Sequence, residues 1–278
     1  MKKRIFMLGA AAGMLAGLCA APLMQELLRR TATTANAEEY AGPCTYEVRG
    51  DAVCITGCDT GVTGAVTVPA EIGGLPVTEI ADDAFKGCES LESLYIPDSV
   101  TALGSNVCWE CFGLKDVRLP ENLTEIPDHA FVYCTSLSTV RIPESVTFIG
   151  ESAFGCCSGL KTLTIPQSVT EIGEFILYGC SSLESVTILN PECKINLMAF
   201  YYDGLIVYGY SGSTAEPYAA QNYHSFRALA PDGSVFCDAD GDGEITVSDA
   251  QDVLQYYTDL LAEKQPSWHA ITGNPDFP

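Results

Sequence analysis

The chain has 278 residues, 47% of them hydrophobic and 18% charged, a balance that supplies material for a sizeable core and excludes a disordered polymer. Its net charge of −22 excludes polyanionic partners, because nucleic acids and anionic lipid surfaces are repelled by such a field.

At the N-terminus, Lys2, Lys3 and Arg4 precede an uncharged apolar run from Ile5 to Met24, and Ala35-Asn36-Ala37 fits a small-x-small cleavage pattern. Residues 1–37 are expected to be an export signal, placing the mature protein outside the cell or on its surface. The run is also long enough for an uncleaved anchor, the one route by which this chain would meet a membrane. Leu18 stands before Cys19 where a lipoprotein signal has a small residue, so no lipid is expected there. Cleavage after Ala37 leaves nine basic residues against 35 acidic ones, which suits calcium and an extracellular setting.

Residues 38–65 read as an N-terminal cap, with a hairpin-like stretch from Thr45 to Thr56. From 66 to 206 the chain repeats. Pro97, Pro120, Pro143 and Pro166 are each 23 residues apart, and the first unit, beginning at Pro69, is five residues longer. Leu94, Val117, Val140, Leu163 and Val186 form one apolar column; Ile96, Leu119, Ile142, Ile165 and Ile188 form another two residues on, the alternation of a strand. Further columns run through Ile80 to Ile195, through Leu91 to Leu183, and through Phe85, Phe131, Phe154 and Phe200, with Cys108 and Leu177 substituting. Each unit is expected to be one coil of a solenoid, since a single coil buries too little to stand alone and must share its core with stacked neighbours.

The units Leu94-Tyr-Ile-Pro-Asp-Ser-Val-Thr, Val140-Arg-Ile-Pro-Glu-Ser-Val-Thr and Leu163-Thr-Ile-Pro-Gln-Ser-Val-Thr, with Ala130-Phe131 and Ala153-Phe154 followed by cysteine, resemble the BspA-like leucine-rich repeats of bacterial surface proteins. The resemblance covers about residues 45–230 and implies a right-handed, strand-rich repeat solenoid with a role in adhesion or protein binding. Tyr208-Gly-Tyr-Ser-Gly-Ser-Thr-Ala-Glu resembles that family's closing segment, so 207–230 read as a C-terminal cap.

Cys88, Cys111, Cys134, Cys157 and Cys180 keep the same step of 23 and are expected to form a ladder of core thiols, with disulfides between neighbours as the alternative. Cys108 and Cys111 have the spacing of a redox pair, but both fall in core columns. In the opening cap, Cys44 has Cys54 and Cys58 as possible disulfide partners, and the sequence leaves the choice open.

Residues 231–278 carry the strongest chemical motif. Asp238, Asp240, Asp242 and Asp249 occupy positions 1, 3, 5 and 12 of a calcium loop, with Gly243 at 6 for the sharp turn, the Glu244 carbonyl at 7 and Thr246 at 9. Val253, Leu254, Tyr257, Leu260 and Leu261 then make the apolar face of a following helix. This loop and helix resemble half of a type I dockerin, an EF-hand-like module. That resemblance implies calcium as cofactor, a cohesin module as partner with Val247 and Ser248 as contacts, and the alternative role of accessory subunit in a polysaccharide-degrading assembly. A dockerin has two such loops and this chain has one.

No nucleophile elbow or phosphate loop occurs, and the three histidines, His129, His224 and His269, have no metal-ligand spacing; neither catalysis nor a small-molecule substrate is expected. The candidate binding face is the outward side of the strands. There Tyr95, Arg118 and Arg141 become neighbours on successive coils, a patch suited to an acidic or aromatic protein partner unless the arginines pair with nearby acids.

Overall fold

The computed structural model describes residues 42–201 and 204–230. The chain divides into two compact units. Of the first, Gly42 and Ile72–Gly74 are described, and Gly73 and Gly74 turn the backbone with φ of +62° and +78°, which glycine adopts without a Cβ clash. The second comprises Pro43–Glu71 and the residues from Leu75 onward. It is a strand-rich solenoid of about eight turns built from repeats of roughly 23 residues.

This unit opens on an antiparallel hairpin, β1 (Cys44–Arg49) with β2 (Ala52–Cys58), which has a bulge between Thr45 and Tyr46. From there onward the strands of successive coils pair in parallel. One stack of strands comprises β3 (Gly64–Thr67), β6 (Leu91–Tyr95) and β8 (Asp116–Arg118), and resumes with β11 (Thr162–Ile165), β13 (Ser185–Ile188), β15 (Ile206–Tyr210) and β16 (Ser225–Leu229). Between them in sequence come the two-residue β4 (Glu71–Ile72) and a second stack on another side of each coil. That stack begins with β2, β5 (Leu75–Ile80) and β7 (Ala102–Leu103), and continues in β9 (Glu125–Ile126), β10 (Phe148–Ile149), β12 (Glu171–Ile172) and β14 (Lys194–Ile195). The registers follow the repeat: Tyr95 pairs Arg118, Leu163 pairs Val186, and Ile149 pairs Ile172. After β15 the helix α1 (Ala215–Gln221) crosses to β16, burying Ala215, Tyr218 and Ala219.

The apolar columns fill the interior. Phe85, Phe131 and Phe154 have no exposed surface, Cys108 and Leu177 take their place in two coils, and the Phe131 and Phe154 rings stack at 5.5 Å and 8°. Val100, Leu123, Val146 and Val169 form a further buried column. Each accepts a turn from the proline three residues earlier, as in Val146 N–H donating to the Pro143 carbonyl at 3.1 Å. The cysteine column is a ladder of thiols bonded to backbone: Cys111, Cys134, Cys157 and Cys180 donate to the carbonyls of Phe85, Cys108, Phe131 and Phe154 at 3.0, 3.3, 3.1 and 3.1 Å. Each bond spans one coil and brings a second donor to a carbonyl that already accepts the N–H of the cysteine three residues on, as Phe131 does from Cys134 at 3.2 Å.

The third side of each coil is a run of turns, and its backbone is also stacked. His129, Phe131 and Tyr133 donate to the carbonyls of Glu151, Ala153 and Gly155 in the next coil, at 2.7, 2.8 and 2.9 Å. Aiming every second N–H forward twists two residues per coil into left-handed conformations: Asp83, Asn106, His129, Ser152 and Phe175 at one level, and Glu110, Tyr133 and Cys156, in line with Gly87 and Gly179, at another. Such a conformation costs a residue with a Cβ about 1–2 kcal/mol. Glu110→Gly is therefore expected to stabilise the protein, by about 0.5–1 kcal/mol after the glycine entropy penalty, reversing the usual sign for an added glycine; a urea melt reads it.

One strand of the repeat is missing. Ser138–Ile142 carries no strand, and Val140 is half-buried where Leu94, Val117, Leu163 and Val186 are buried. Asp116, Arg118, Glu121 and Arg141 line the opening with charge. Ile195, at the far end of its column, is likewise only half-buried.

Candidate functional site

The strand face carries the patch expected from sequence, in altered form. Tyr95 and Arg118 are side by side in register, and Tyr95 is exposed. Each arginine reaches back to a carboxylate of the preceding coil: Arg118 to Asp98 at 3.1 Å, and Arg141 to Glu121. The Arg141 guanidinium is held above its ordinary pKa by the Glu121 hydrogen bond. Both arginines remain more than half exposed and line a depression of about 330 Å³ with Asp116, Glu121 and Thr139, where the strand is missing.

A second surface lies on the turn side. Trp109 packs against His129 at 5.7 Å and Tyr133 at 6.3 Å, and Phe175, Tyr178 and Tyr201 form a triangle with centroids 6.1–6.5 Å apart. Between the two groups the intervening coil carries Gly155 and Cys156. The Tyr133 phenol is raised above its usual pKa by the charge of Cys156 first, with Tyr178 and Glu110 adding to it. Tyr133, Tyr178 and Tyr201 are 41%, 51% and 57% exposed, so both groups present aromatic surface along one edge of the turn side. At its C-terminal end a cleft of about 620 Å³ opens between Tyr178, Leu197, Met198 and Tyr201 and the cap residues Asn222 and Tyr223.

Beside the aromatic edge runs an acidic row. Asp128, Glu151, Glu171 and Glu174 line a depression of about 450 Å³ whose single basic residue is Lys194. At the other end of the edge, Lys86 places its ammonium 5.7 Å from the centre of the Trp109 ring, so the chain already seats one cation on this surface. Strand alternation could not reveal this edge, because its residues occupy the turns. The available signal was Trp109, Tyr178 and Tyr201 at one repeat position, with Tyr133 one position on in the coil after Trp109.

The Cys108–Cys111 pair lacks the environment of a redox centre. Both thiols have no exposed surface, and the Cys111 hydrogen bond followed by burial holds Cys108 well above its ordinary pKa. A reactive dithiol needs a lowered pKa and access. Among the described residues no group of three or more His, Cys, Asp or Glu side chains is arranged to hold a metal ion, and no helix is long and apolar enough to cross a membrane. The export signal, the loop residues Asp238, Asp240, Asp242, Glu244, Thr246 and Asp249, and the contacts Val247 and Ser248 lie outside the described residues.

Stacked parallel strands, a repeat of about 23 residues and continuous apolar columns define a leucine-rich-repeat solenoid. Residues 78–206 match the BspA type leucine rich repeat region in six copies, which supports a BspA-like leucine-rich-repeat protein. Among solved structures, a leucine rich repeat protein of T. pallidum is 28% identical with a TM-score of 0.52, over 69% of this chain and 99% of that one. A leucine rich cell surface protein of Faecalibacterium prausnitzii is 27% identical with a TM-score of 0.48, over 62% of this chain and 50% of that one. The pneumococcal vaccine antigen PcpA shares the fold at 16% identity and a TM-score of 0.52, over 67% of this chain and 48% of its own. No curated protein matches the chain.

Proposed function

We propose that the chain is an exported, non-catalytic protein-binding module whose aromatic edge receives a basic segment of a protein partner. The observation that carries this reading is the two exposed aromatic groups, Trp109 with Tyr133 and Tyr178 with Tyr201, in a turn side that also carries the acids Asp128, Glu151 and Glu174, with Lys86 already over Trp109. Exposed tyrosines supply broad contact area, ring faces attract ammonium and guanidinium groups, and the net charge of −22 steers a basic partner toward the chain. Export is supported by the basic and apolar leader and its small-residue cleavage pattern.

Calorimetric titration of the chain with a lysine- and arginine-rich peptide tests it. The expected result is salt-sensitive binding that falls at least about tenfold, roughly 1.4 kcal/mol, in a Tyr133→Ala/Tyr178→Ala/Tyr201→Ala variant and persists in Tyr95→Ala. Equal binding by the wild type and the triple variant would reduce the interaction to net charge and defeat the reading.

A second reading, favoured by the depression between the coils of Arg118 and Arg141, places an acidic or aromatic partner at Tyr95, Arg118 and Arg141. Partner binding unchanged in Arg118→Ala/Arg141→Ala would remove it.

We assign calcium to the loop at Asp238, Asp240, Asp242, Glu244, Thr246 and Asp249, whose hard oxygen donors suit a hard cation, and a cohesin-type module to the half-dockerin end through Val247 and Ser248. Calcium heats in the wild type that vanish in Asp238→Ala/Asp242→Ala are the expected result. Calcium binding without response to any cohesin module would leave the loop a structural clip and withdraw the scaffold-subunit role.

A further inference from the structure

Three thiols converge at the open end of the β1–β2 hairpin. Cys44 and Cys58 are directly opposed in the antiparallel register, and the Asp59 N–H donates to the Pro43 carbonyl at 3.0 Å immediately beyond them. Opposed residues of such a pair have Cα atoms about 4.5–5.5 Å apart and side chains on the same face, within the window of about 4.4–6.8 Å that a disulfide spans. The third thiol is Cys88, first of the cysteine column, whose sulfur lies 3.8 Å from the Asp59 carbonyl. Cys54 is not part of this group: it opposes Glu47 in the register. The structure thus discriminates between the two partners that the sequence offers Cys44.

We propose that Cys44 and Cys58 are the substrate pair of a small-molecule or protein disulfide oxidant and become joined by a disulfide that closes the hairpin, with Cys88 placed to exchange into it. The chemistry balances as two thiol–disulfide exchanges. The Cys58 thiolate attacks one sulfur of R–S–S–R, forming Cys58–S–S–R and releasing RS⁻, which takes up a proton. The Cys44 thiolate then attacks the Cys58 sulfur, forming Cys44–S–S–Cys58 and expelling the second RS⁻. Two protein thiols are oxidised and one R–S–S–R is reduced to two RSH. Cys58 is half-buried, whereas Cys44 is 6% exposed and Cys88 fully buried, so the oxidant meets Cys58 first. Cys88 attacking the Cys58 sulfur of the finished bridge would release Cys44 and tie the cap to the first coil of the ladder.

The thiol group is slow to ionise. The Cys44 hydrogen bond holds the Cys58 pKa down, but the Cys88 contact and burial outweigh it and push the value up to about 12. Because the thiolate is the attacking species, the bridge should form about tenfold faster for each pH unit between roughly 7 and 9. The remaining ladder thiols differ: Cys111, Cys134, Cys157 and Cys180 have no exposed surface and donate to carbonyls.

This inference does not depend on the binding role or on export, and its test needs only the purified full chain. The reduced protein is exposed to oxidised glutathione at pH 7, 8 and 9, quenched with an alkylating agent, digested and mapped by mass spectrometry. The expected result is a Cys44–Cys58 cross-linked peptide as the dominant product, accelerating with pH, while the four ladder thiols are alkylated only after denaturation. In Cys88→Ser the bridge still forms and any Cys58–Cys88 product disappears. A stable glutathione adduct on Cys58 that Cys44 never displaces would overturn the proposal, as would Cys44 and Cys58 both remaining reduced at pH 9. The wild-type measurement is sufficient if a serine variant fails to fold.

Discussion

Phe131→Ala is expected to destabilise the protein by about 3–5 kcal/mol, the range for emptying a buried aromatic site. The ring has no exposed surface and stacks on Phe154 at 5.5 Å, so its removal leaves one cavity wall against the next coil and cannot be filled by a neighbouring rotamer alone. A solenoid gains its stability from contacts between adjacent repeats, so the loss falls on the interface joining the coils on either side. Urea unfolding followed by circular dichroism is expected to show an earlier transition, and a single broad transition splitting into two would mark the point at which the halves uncouple. Phe112→Ala supplies the contrast. Phe112 is 37% exposed, and its loss should stay within about 0.5–1 kcal/mol.

Gly104→Ala should cost about 3 kcal/mol or more, at the upper end of what overpacking does. A Cβ on Gly104 would lie 2.2 Å from the Asp82 nitrogen and 2.4 Å from the Ala81 carbonyl carbon. Both are backbone atoms of the previous coil and cannot rotate away. The Gly104 N–H also donates to the Ile80 carbonyl at 2.7 Å, and Ser105 N–H to the Asp82 carboxylate at 2.7 Å, so separating the coils to admit a methyl group stretches both bonds. Gly61 is the control, because its nearest neighbour on the same measure is the Asp59 side-chain oxygen at 3.4 Å; Gly61→Ala should be near neutral. Equal melting midpoints for the two variants would show that the coils slide more freely than their geometry implies.

The columns were legible because strand alternation and a fixed repeat act on the same residues. Leu94, Ile96, Ile126, Leu160 and the cysteines follow the step of 23 and are all buried. The Val140 column broke for a reason outside that pattern: alternation states which face a residue takes, not whether its backbone finds a ladder partner. Arg118 and Arg141 line one depression, and the pairing with nearby acids that the sequence left open falls to Asp98 and Glu121, a choice that depends on side chains reaching across coils. The aromatic edge was hidden for a different reason. Its residues share the turns with Phe131 and Phe154, whose buried column was legible, but they face outward and do not appear in every repeat, Val132 and Gly155 standing between Trp109 and Tyr178. The choice between Cys54 and Cys58 likewise needed the register and its bulge.

The forward bonding of the turn side gives the stack a direction. Within it each coil offers N–H groups toward the C-terminal side and receives them on the other, so two such ends complement each other only head to tail, the heterologous geometry that gives a ring or an open filament according to its rotation. At Phe200 the pattern changes. Where Phe131 and Phe154 donate to Ala153 and Ile176 of the following coil, Phe200 N–H instead meets the Tyr218 hydroxyl at 2.9 Å, a side chain where the earlier coils place a carbonyl. The phenol is buried, and desolvation raises its pKa to about 12. A buried hydroxyl thus takes, at Phe200, the forward bond that carbonyls of the next coil take at Phe131 and Phe154.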